Sequence, residues 1–84
     1  MEQTKIVAIQ IKDRIKEANK TQGVLSKHGK IIHNRIGFHE VSNDVCSREG
    51  TLILHIQSSE DALNILMDEL AVIGGIEAKS ISFD

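Results

Sequence analysis

One seven-residue stretch, Thr51–Gln57 (TLILHIQ), constrains the fold more than any other part of the sequence. Its residues alternate with the period of two that is typical of a β-strand. The two alternating sets are Leu52, Leu54 and Ile56, and Ile53, His55 and Gln57. One face of this strand is wholly apolar and the other is partly apolar. Flanking helices can cover the first face, so the second face is expected to contact a ligand or another subunit.

Three further segments have the composition of strands: Thr4–Lys12, Lys30–Phe38 and Ile76–Phe83. Thr4–Lys12 is largely apolar on both faces, as expected of an interior strand. Lys30–Phe38 is interrupted by Asn34 and Gly37, which predicts an edge strand. The polar segment His39–Gly50 predicts a long hairpin loop.

Two segments between the strands predict helices. The first begins after Asp13 as its N-cap and ends before Gly29 at the C′ position. The second opens with Ser58 and Asp61, an S-x-x-D capping pattern, and stops at Gly74–Gly75. The chain therefore has two helices, each placed between two strands.

The order β-α-β-β-α-β predicts an α+β, ferredoxin-like fold over the single domain 1–84. Its four antiparallel strands should lie in the spatial order 4-1-3-2, with both helices on one face. The first and third strands are then central, which agrees with their richer apolar content. The expected core residues are Val7, Ile9, Ile11, Ala18, Leu25, Leu52, Leu54, Ile56, Leu66 and Leu70.

Length, cysteine content and charge narrow the functional classes. A chain of 84 residues buries only about 60% of its unfolded surface, so oligomerisation is a natural supplement to its core. The single Cys46 cannot form an internal disulfide and no apolar run could span a membrane, which predicts a cytoplasmic protein. Residues 1–42 have a net charge of +4 and residues 43–84 of −6, which favours attraction within the domain. Phe38 and Phe83 are the only Phe, Tyr or Trp residues, and this shortage of side chains for base stacking argues against binding to nucleic acid.

A set of positions along nearly the whole chain carries a family resemblance. They are the first strand running into Asp13 and Arg14, the helix end at Gly29, Ile32, the trio Arg35-Ile36-Gly37, the strand Ile53–Ile56, and Gly75-Ile76 with Lys79. These residues resemble the small ACT-like proteins known as iron-only hydrogenase system regulators. The chain is also similar to the ligand-binding half of nickel-responsive regulators. The resemblance implies an ACT-like, oligomeric regulatory or accessory module.

His33 and His55 lie on two strands that should pair as a hairpin, and they are the candidate metal ligands. If Ile32, Asn34 and Ile36 share the core face with the apolar set of the central strand, both histidines point to the opposite face. They could then bind a metal or a small ligand together. The alternative is that they are ordinary polar residues at a subunit interface.

Arg35 beside Gly37 could offer a guanidinium and an open backbone to an anionic ligand. The alternative is a solvated arginine on an edge strand. Cys46 has no second cysteine to resolve a redox reaction. No nucleophile, base and orienting group can be assembled from any motif, so the sequence predicts a protein that is not an enzyme.

The uncovered face of the sheet predicts the mode of assembly. Ile6, Ala8, Ile31 and Ile53 should gather there around the two histidines. Such an apolar patch predicts a homodimer or homotetramer formed through this face. Two functions remain open: a regulatory module that binds a small ligand or metal at a subunit interface, and a structural assembly partner of a larger protein. The sequence identifies no cofactor.

Overall fold

The structure, a computed structural model, describes residues 2–38 and 49–83. Its elements in chain order are β1 (Gln3–Ile11), α1 (Arg14–Lys27), β2 (Ile32–Phe38), β3 (Gly50–Ser58), α2 (Glu60–Ala71) and β4 (Ile76–Ser82). Most of the predicted hairpin loop His39–Gly50, including Cys46, lies outside the described residues. The order β-α-β-β-α-β is confirmed.

The four strands form one antiparallel sheet in the order β2-β3-β1-β4, as predicted. The two central strands pair over their full nine residues, from Gln3 opposite Ser58 to Ile11 opposite Gly50. Because successive side chains point to opposite faces, every second residue of β1 and β3 faces the helices. We call this side the helix face and the other side the open face.

The core lies between the helix face and the two helices. Its buried apolar residues are Val7, Ile9, Ile11, Leu25, Leu54, Ile56, Leu63, Leu66, Leu70 and Ile73. The predicted core is confirmed for all members except two. Leu52 is only partly buried against this cluster, and the side chain of Ala18 lies outside the description.

The helix starts follow the capping chemistry of the sequence, with one shift. Asp13 caps α1, because its Oδ1 accepts a hydrogen bond from the backbone N–H of Lys16 (3.1 Å). The cap of α2 is Ser59, whose Oγ accepts from the N–H of Ala62 (3.2 Å). The prediction of Ser58 was wrong by one residue, because Ser58 is still paired in the β-ladder and is buried.

The glycines predicted to end the helices differ in position, because α2 already ends at Ala71 with Val72 as its C-cap, before the predicted stop at Gly74–Gly75. Gly29 follows α1 at the predicted C′ position, but without a positive φ, and its N–H donates to the carbonyl of Ser26 (3.2 Å). Gly75 has a φ of +85°, a conformation that glycine adopts without steric cost. Its carbonyl accepts from the N–H of Lys12 (2.9 Å), which fixes the turn before β4 to the end of β1.

An irregularity in β2 changes which residues face the core. Ile32 pairs with Ile56, but Asn34 pairs with His55, so His33 is an extra residue in the ladder. A one-residue shift of this kind moves every following side chain to the other face. The prediction that Asn34 and Ile36 share the core face was therefore wrong, and it was correct for Ile32, which packs against the core.

The opposite charges of the two halves of the chain meet in the folded structure. The three ion pairs between described side chains are Lys5–Glu60, Lys27–Glu69 and His28–Glu69. Each joins the basic first half of the chain to helix α2 in the acidic second half. Within residues 2–38 and 49–83, neither helix is long and apolar enough to cross a membrane.

Candidate functional site

The open face carries a mixed apolar and polar surface that no described helix covers. Its residues are Thr4, Ile6, Ala8 and Gln10 from β1, Thr51, Ile53, His55 and Gln57 from β3, Asn34 and Ile36 from β2, and Glu77, Lys79 and Ile81 from β4. Ile36 and Ile81 are 56% and 59% exposed. The predicted member Ile31 is not part of this face, because it precedes β2 and packs against the core.

The two candidate histidines come together on the open face. The ring centroids of His33 and His55 are 6.1 Å apart. The bulge leaves this approach in place and adds Asn34 beside it, since both His33 and Asn34 lie opposite His55 where a regular strand would place one residue. The prediction that these histidines converge agrees with this geometry, although the strand register behind it differs.

The surroundings of His55 are polar amides and a hydroxyl. The Nδ2 of Asn34 lies 3.3 Å from His55 Nδ1. The amide of Gln57 is 3.5 Å from His55 Nε2 and donates to Thr4 Oγ1 at 2.7 Å. When the Asn34 amide donates to Nδ1, a neutral imidazole carries its proton on Nε2. The ring can offer Nε2 to a metal only in the other tautomer, with its proton on Nδ1 and the Asn34 amide oxygen accepting it.

One chain supplies too few ligands for a closed metal site in the part that the structure describes. Within residues 2–38 and 49–83, no group of three or more His, Cys, Asp or Glu side chains lies close enough to hold a metal. Structural zinc sites use four protein ligands and catalytic ones three. The pair His33 and His55 is therefore at most half of a site.

Arg35 and Gly37 lie on the other side of the sheet from the histidine pair. Arg35 pairs with the core residue Leu54, and its Nη2 donates to Oε1 of Gln22 on α1 (3.1 Å). Gly37 faces Leu52, whose Cδ2 would lie 3.2 Å from a Cβ at this position. The four predicted ligand-binding residues thus form two separate pairs, because the bulge at His33 reverses the faces of the residues after it.

Sequence reasoning missed three buried polar side chains. Lys5 is fully buried on the helix face, where its Nζ donates to Gln3 Oε1, Glu60 Oε2 and Ser82 Oγ. Glu17 and Thr21 are also buried. The sequence pattern would have indicated this burial. Lys5, Val7 and Ile9 alternate along β1 and therefore share one face of the sheet. Glu17, Thr21 and Leu25 are spaced by four residues on α1 and therefore share one face of the helix.

A second cluster of ionisable groups lies where the end of α1 meets α2. Lys27 and His28 both contact the carboxylate of Glu69. The hydrogen bond from Lys27, and then that from His28, hold the pKa of Glu69 below its ordinary value. This cluster joins the two helices at the protein surface.

Comparison with known proteins gives structural likenesses only. No protein-family model and no curated protein matches the chain. An uncharacterized protein from Thermotoga maritima has a similar structure, with a TM-score of 0.85, 19% identity and full coverage of both chains.

Two further solved structures have the same fold at greater distance. CutA1 from Oryza sativa has a TM-score of 0.58 and 12% identity, over 98% of this chain and 81% of that one. A nitrogen regulatory PII-like protein from Thiomonas intermedia, bound to ADP, AMP and bicarbonate, has a TM-score of 0.52 and 10% identity over 100% and 94%. The specific relation to hydrogenase system regulators stays a prediction. At these identities the likenesses show the fold alone, and that fold is the α+β, ferredoxin-like one.

Proposed function

We propose that the protein is a non-catalytic regulatory or accessory module that acts as a homo-oligomer assembled through its open face. The observation that carries the proposal is the uncovered apolar surface of the sheet. Ile36 and Ile81 are more than half exposed there, beside the half-buried Ile6 and Ile53. Contiguous apolar surface of this kind is typical of interaction sites.

The regulatory role rests on the fold and on the family resemblance of the sequence. It agrees with the predicted ACT-like character of the chain over 1–84. It also fits the nitrogen regulatory protein that has the same fold, although that likeness by itself shows nothing about function. A regulatory module needs a ligand, and the open face offers one candidate position for it.

The histidine pair is the proposed ligand position at this interface. Each subunit contributes His33 and His55, whose rings lie 6.1 Å apart. A two-fold axis close to this pair would bring together four imidazoles, which is the ligand number of a closed metal site. Arg35 and Gly37 would bind a separate anion on the opposite side of β2. Without any ligand, the same face would serve the alternative role of a structural assembly partner.

Sedimentation velocity with a matched pair of variants tests the assembly. Ile36 on the open face and Ile65 on α2 are almost equally exposed, at 56% and 55%. Ile36→Lys should shift the protein to monomers because it places a charge in the interface. Ile65→Lys should leave the oligomer intact. A monomeric parent protein, or equal effects of the two variants, would refute assembly through the open face.

The pH dependence of sedimentation tests the position of the histidines. Two positive charges on His33 and His55 would lie close together at the interface and repel, so association should weaken in acid relative to neutral solution. The charged residues on the described open face, Glu77 and Lys79, have opposite signs and lie on β4, two strands away from His55. His33→Gln with His55→Gln should remove the pH dependence. An oligomer unaffected by pH would exclude the histidines from the interface.

Thermal melting with added zinc, nickel or iron separates the two candidate roles. A metal that binds only the folded oligomer raises the melting temperature, and His55→Gln should abolish the increase. An oligomer that no metal stabilises would favour the structural assembly partner.

A further inference from the structure

A cleft lies at one end of the sheet, away from the histidine pair. It is enclosed by the loop after β1, the first turns of α1 and the turn before β4, and its volume is about 450 Å³. It is lined by Lys12, Asp13, Lys16, Glu17, Lys20, Gly74 and Gly75, and the Asp13 carboxylate already accepts the N–H of Lys16 as the cap of α1. Pockets for small molecules have volumes of about 300–1,000 Å³, so the cleft can hold a small metabolite.

Glu17 is the unusual residue of this cleft. It is only 5% exposed, yet its carboxylate has no hydrogen bond or ion pair to any side chain or backbone group that the structure describes. The carboxylate lies against Gly75, where an added Cβ would be 3.2 Å from Oε2. Among the described side chains, the one buried polar atom without a partner is Thr21 Oγ1, so the Glu17 oxygens open onto the cleft, where a hydrogen-bond donor from outside the chain can reach them.

Positive charge lines the same cleft without neutralising Glu17. Lys12, Lys16 and Lys20 are all exposed, and none forms an ion pair with a residue in the described ranges. Lys16 and Lys20 are four residues apart on α1, so they lie one above the other on the helix surface. The cleft therefore presents cations at its rim and a carboxylate in its wall.

This arrangement limits the chemistry of an occupant. A metal cation would be repelled by three lysines, and a simple anion would meet the unpartnered carboxylate. A molecule with an anionic group for the lysines and a nearby donor for Glu17 satisfies both. We propose that the cleft binds a small anionic metabolite that carries a hydroxyl or ammonium donor, with the anionic group on the lysines and the donor on Glu17. The site lies within one chain and does not depend on assembly through the open face.

Titrations followed by ¹H–¹⁵N NMR test this proposal on the full chain with a matched series of probes. L-Lactate and L-alanine carry a hydroxyl and an ammonium donor, whereas propionate has the same carbon skeleton without either. Glycerol 3-phosphate and methyl phosphate form the corresponding phosphate pair. We expect amide shifts around Glu17 and Gly75 with at least one donor-bearing probe, and about tenfold or more weaker binding of its donor-free counterpart. The response within each series shows which donor and which anionic group the cleft accepts.

Variants assign the binding to the named side chains. Glu17→Met keeps the length of the side chain and removes the hydrogen-bond acceptor, so it should weaken binding of the donor-bearing probe to the affinity of its donor-free counterpart. Lys16→Gln should weaken the binding of both probes. The control Lys30→Gln replaces an exposed lysine outside the cleft and should change the binding of neither probe. Melting curves confirm that each variant is folded. If Glu17→Met does not fold, Lys16→Gln and Lys20→Gln test the cleft in its place.

Three results would overturn the proposal. The first is an absence of shifts around the cleft with every probe. The second is equal binding of donor-bearing and donor-free probes, which would show attraction to the lysines alone. The third is a donor preference that Glu17→Met leaves unchanged. Sedimentation of the same samples reports the oligomeric state separately, so failure of this site is distinguishable from failure of the open-face assembly.

Discussion

Replacing Lys5 by Met and by Ala separates two contributions that this buried side chain makes to stability. Its Nζ lies 3.0 Å from Gln3 Oε1, 2.6 Å from Glu60 Oε2 and 3.2 Å from Ser82 Oγ. An ammonium has three N–H donors, so all of them are used. The side chain of Lys5 is 0% exposed, whereas that of Glu60 is 61% exposed. Only one member of this ion pair has therefore left water.

The structure gives different magnitudes for the two substitutions. Lys5→Ala removes three methylene groups from the core edge, at about 0.8 kcal/mol each, and leaves a cavity, so we expect a loss of about 2–4 kcal/mol. Lys5→Met keeps most of that volume and removes the desolvated ammonium. Glu60 and Ser82 are exposed and can bond to water instead. An apolar replacement for a buried ion pair is often neutral, so Met should cost less than about 1 kcal/mol.

Urea unfolding at pH 7, followed by circular dichroism at one fixed protein concentration, measures both values, since assembly makes stability depend on concentration. Lys30→Met and Lys30→Ala are the controls, because Lys30 is exposed and both changes should be nearly neutral. If Lys5→Met is as destabilising as Lys5→Ala, the hydrogen bonds of the ammonium supply the stability. The argument from packing of the aliphatic stem would then be refuted.

Three further substitutions test the core, helix α1 and the charged surface. Leu54→Ala should lower the free energy of unfolding by about 2–5 kcal/mol, because Leu54 is fully buried on a central strand, and a melting curve like that of the parent would contradict this core. Gly23→Ala should raise the free energy of unfolding by about 0.5–1 kcal/mol, since an added Cβ has no neighbour within 4 Å in the described chain. A lower free energy of unfolding in chemical denaturation would show that glycine is required there. Hydrogen bonds from Lys27 and His28 lower the pKa of Glu69 in the folded protein. Its contribution to the free energy of unfolding is therefore fully present above the ordinary pKa of 4.5 and is lost as the pH falls through the lower pKa of the folded state. Glu69→Gln should flatten the acid side of the stability–pH profile, and an unchanged profile would exclude this carboxylate as its cause.

The sequence pattern was sufficient to predict the architecture because the strongest signals were regular. Alternation over Thr51–Gln57 and Thr4–Lys12 identified the two central strands, and Asp13 and Gly29 marked the start and the end of the first helix. A β-α-β-β-α-β order then leaves few topologies. Each local signal agreed with the others, which is the condition under which such predictions succeed.

The candidate site was harder to predict because it depends on one extra residue. Nothing in the local composition of β2 distinguishes a regular strand from one with His33 as a bulge, and that difference decides the faces of Arg35 and Ile36. The unpartnered state of Glu17 also could not be predicted, since it depends on the turn at Gly75, far away in the sequence. Both features result from tertiary contacts.

The burial of Lys5 makes it a natural reporter of conformational opening. The chain has six other lysines, all exposed: Lys12, Lys16, Lys20, Lys27, Lys30 and Lys79. An amine-reactive reagent should therefore acylate those six rapidly in the native state. The Lys5 amine can react only when β1 separates from the start of α2 and the end of β4, so its labelling rate measures the free energy of that local opening. Mass spectrometry of a single peptide would then follow, without any introduced probe, how ligands or assembly tighten this end of the sheet.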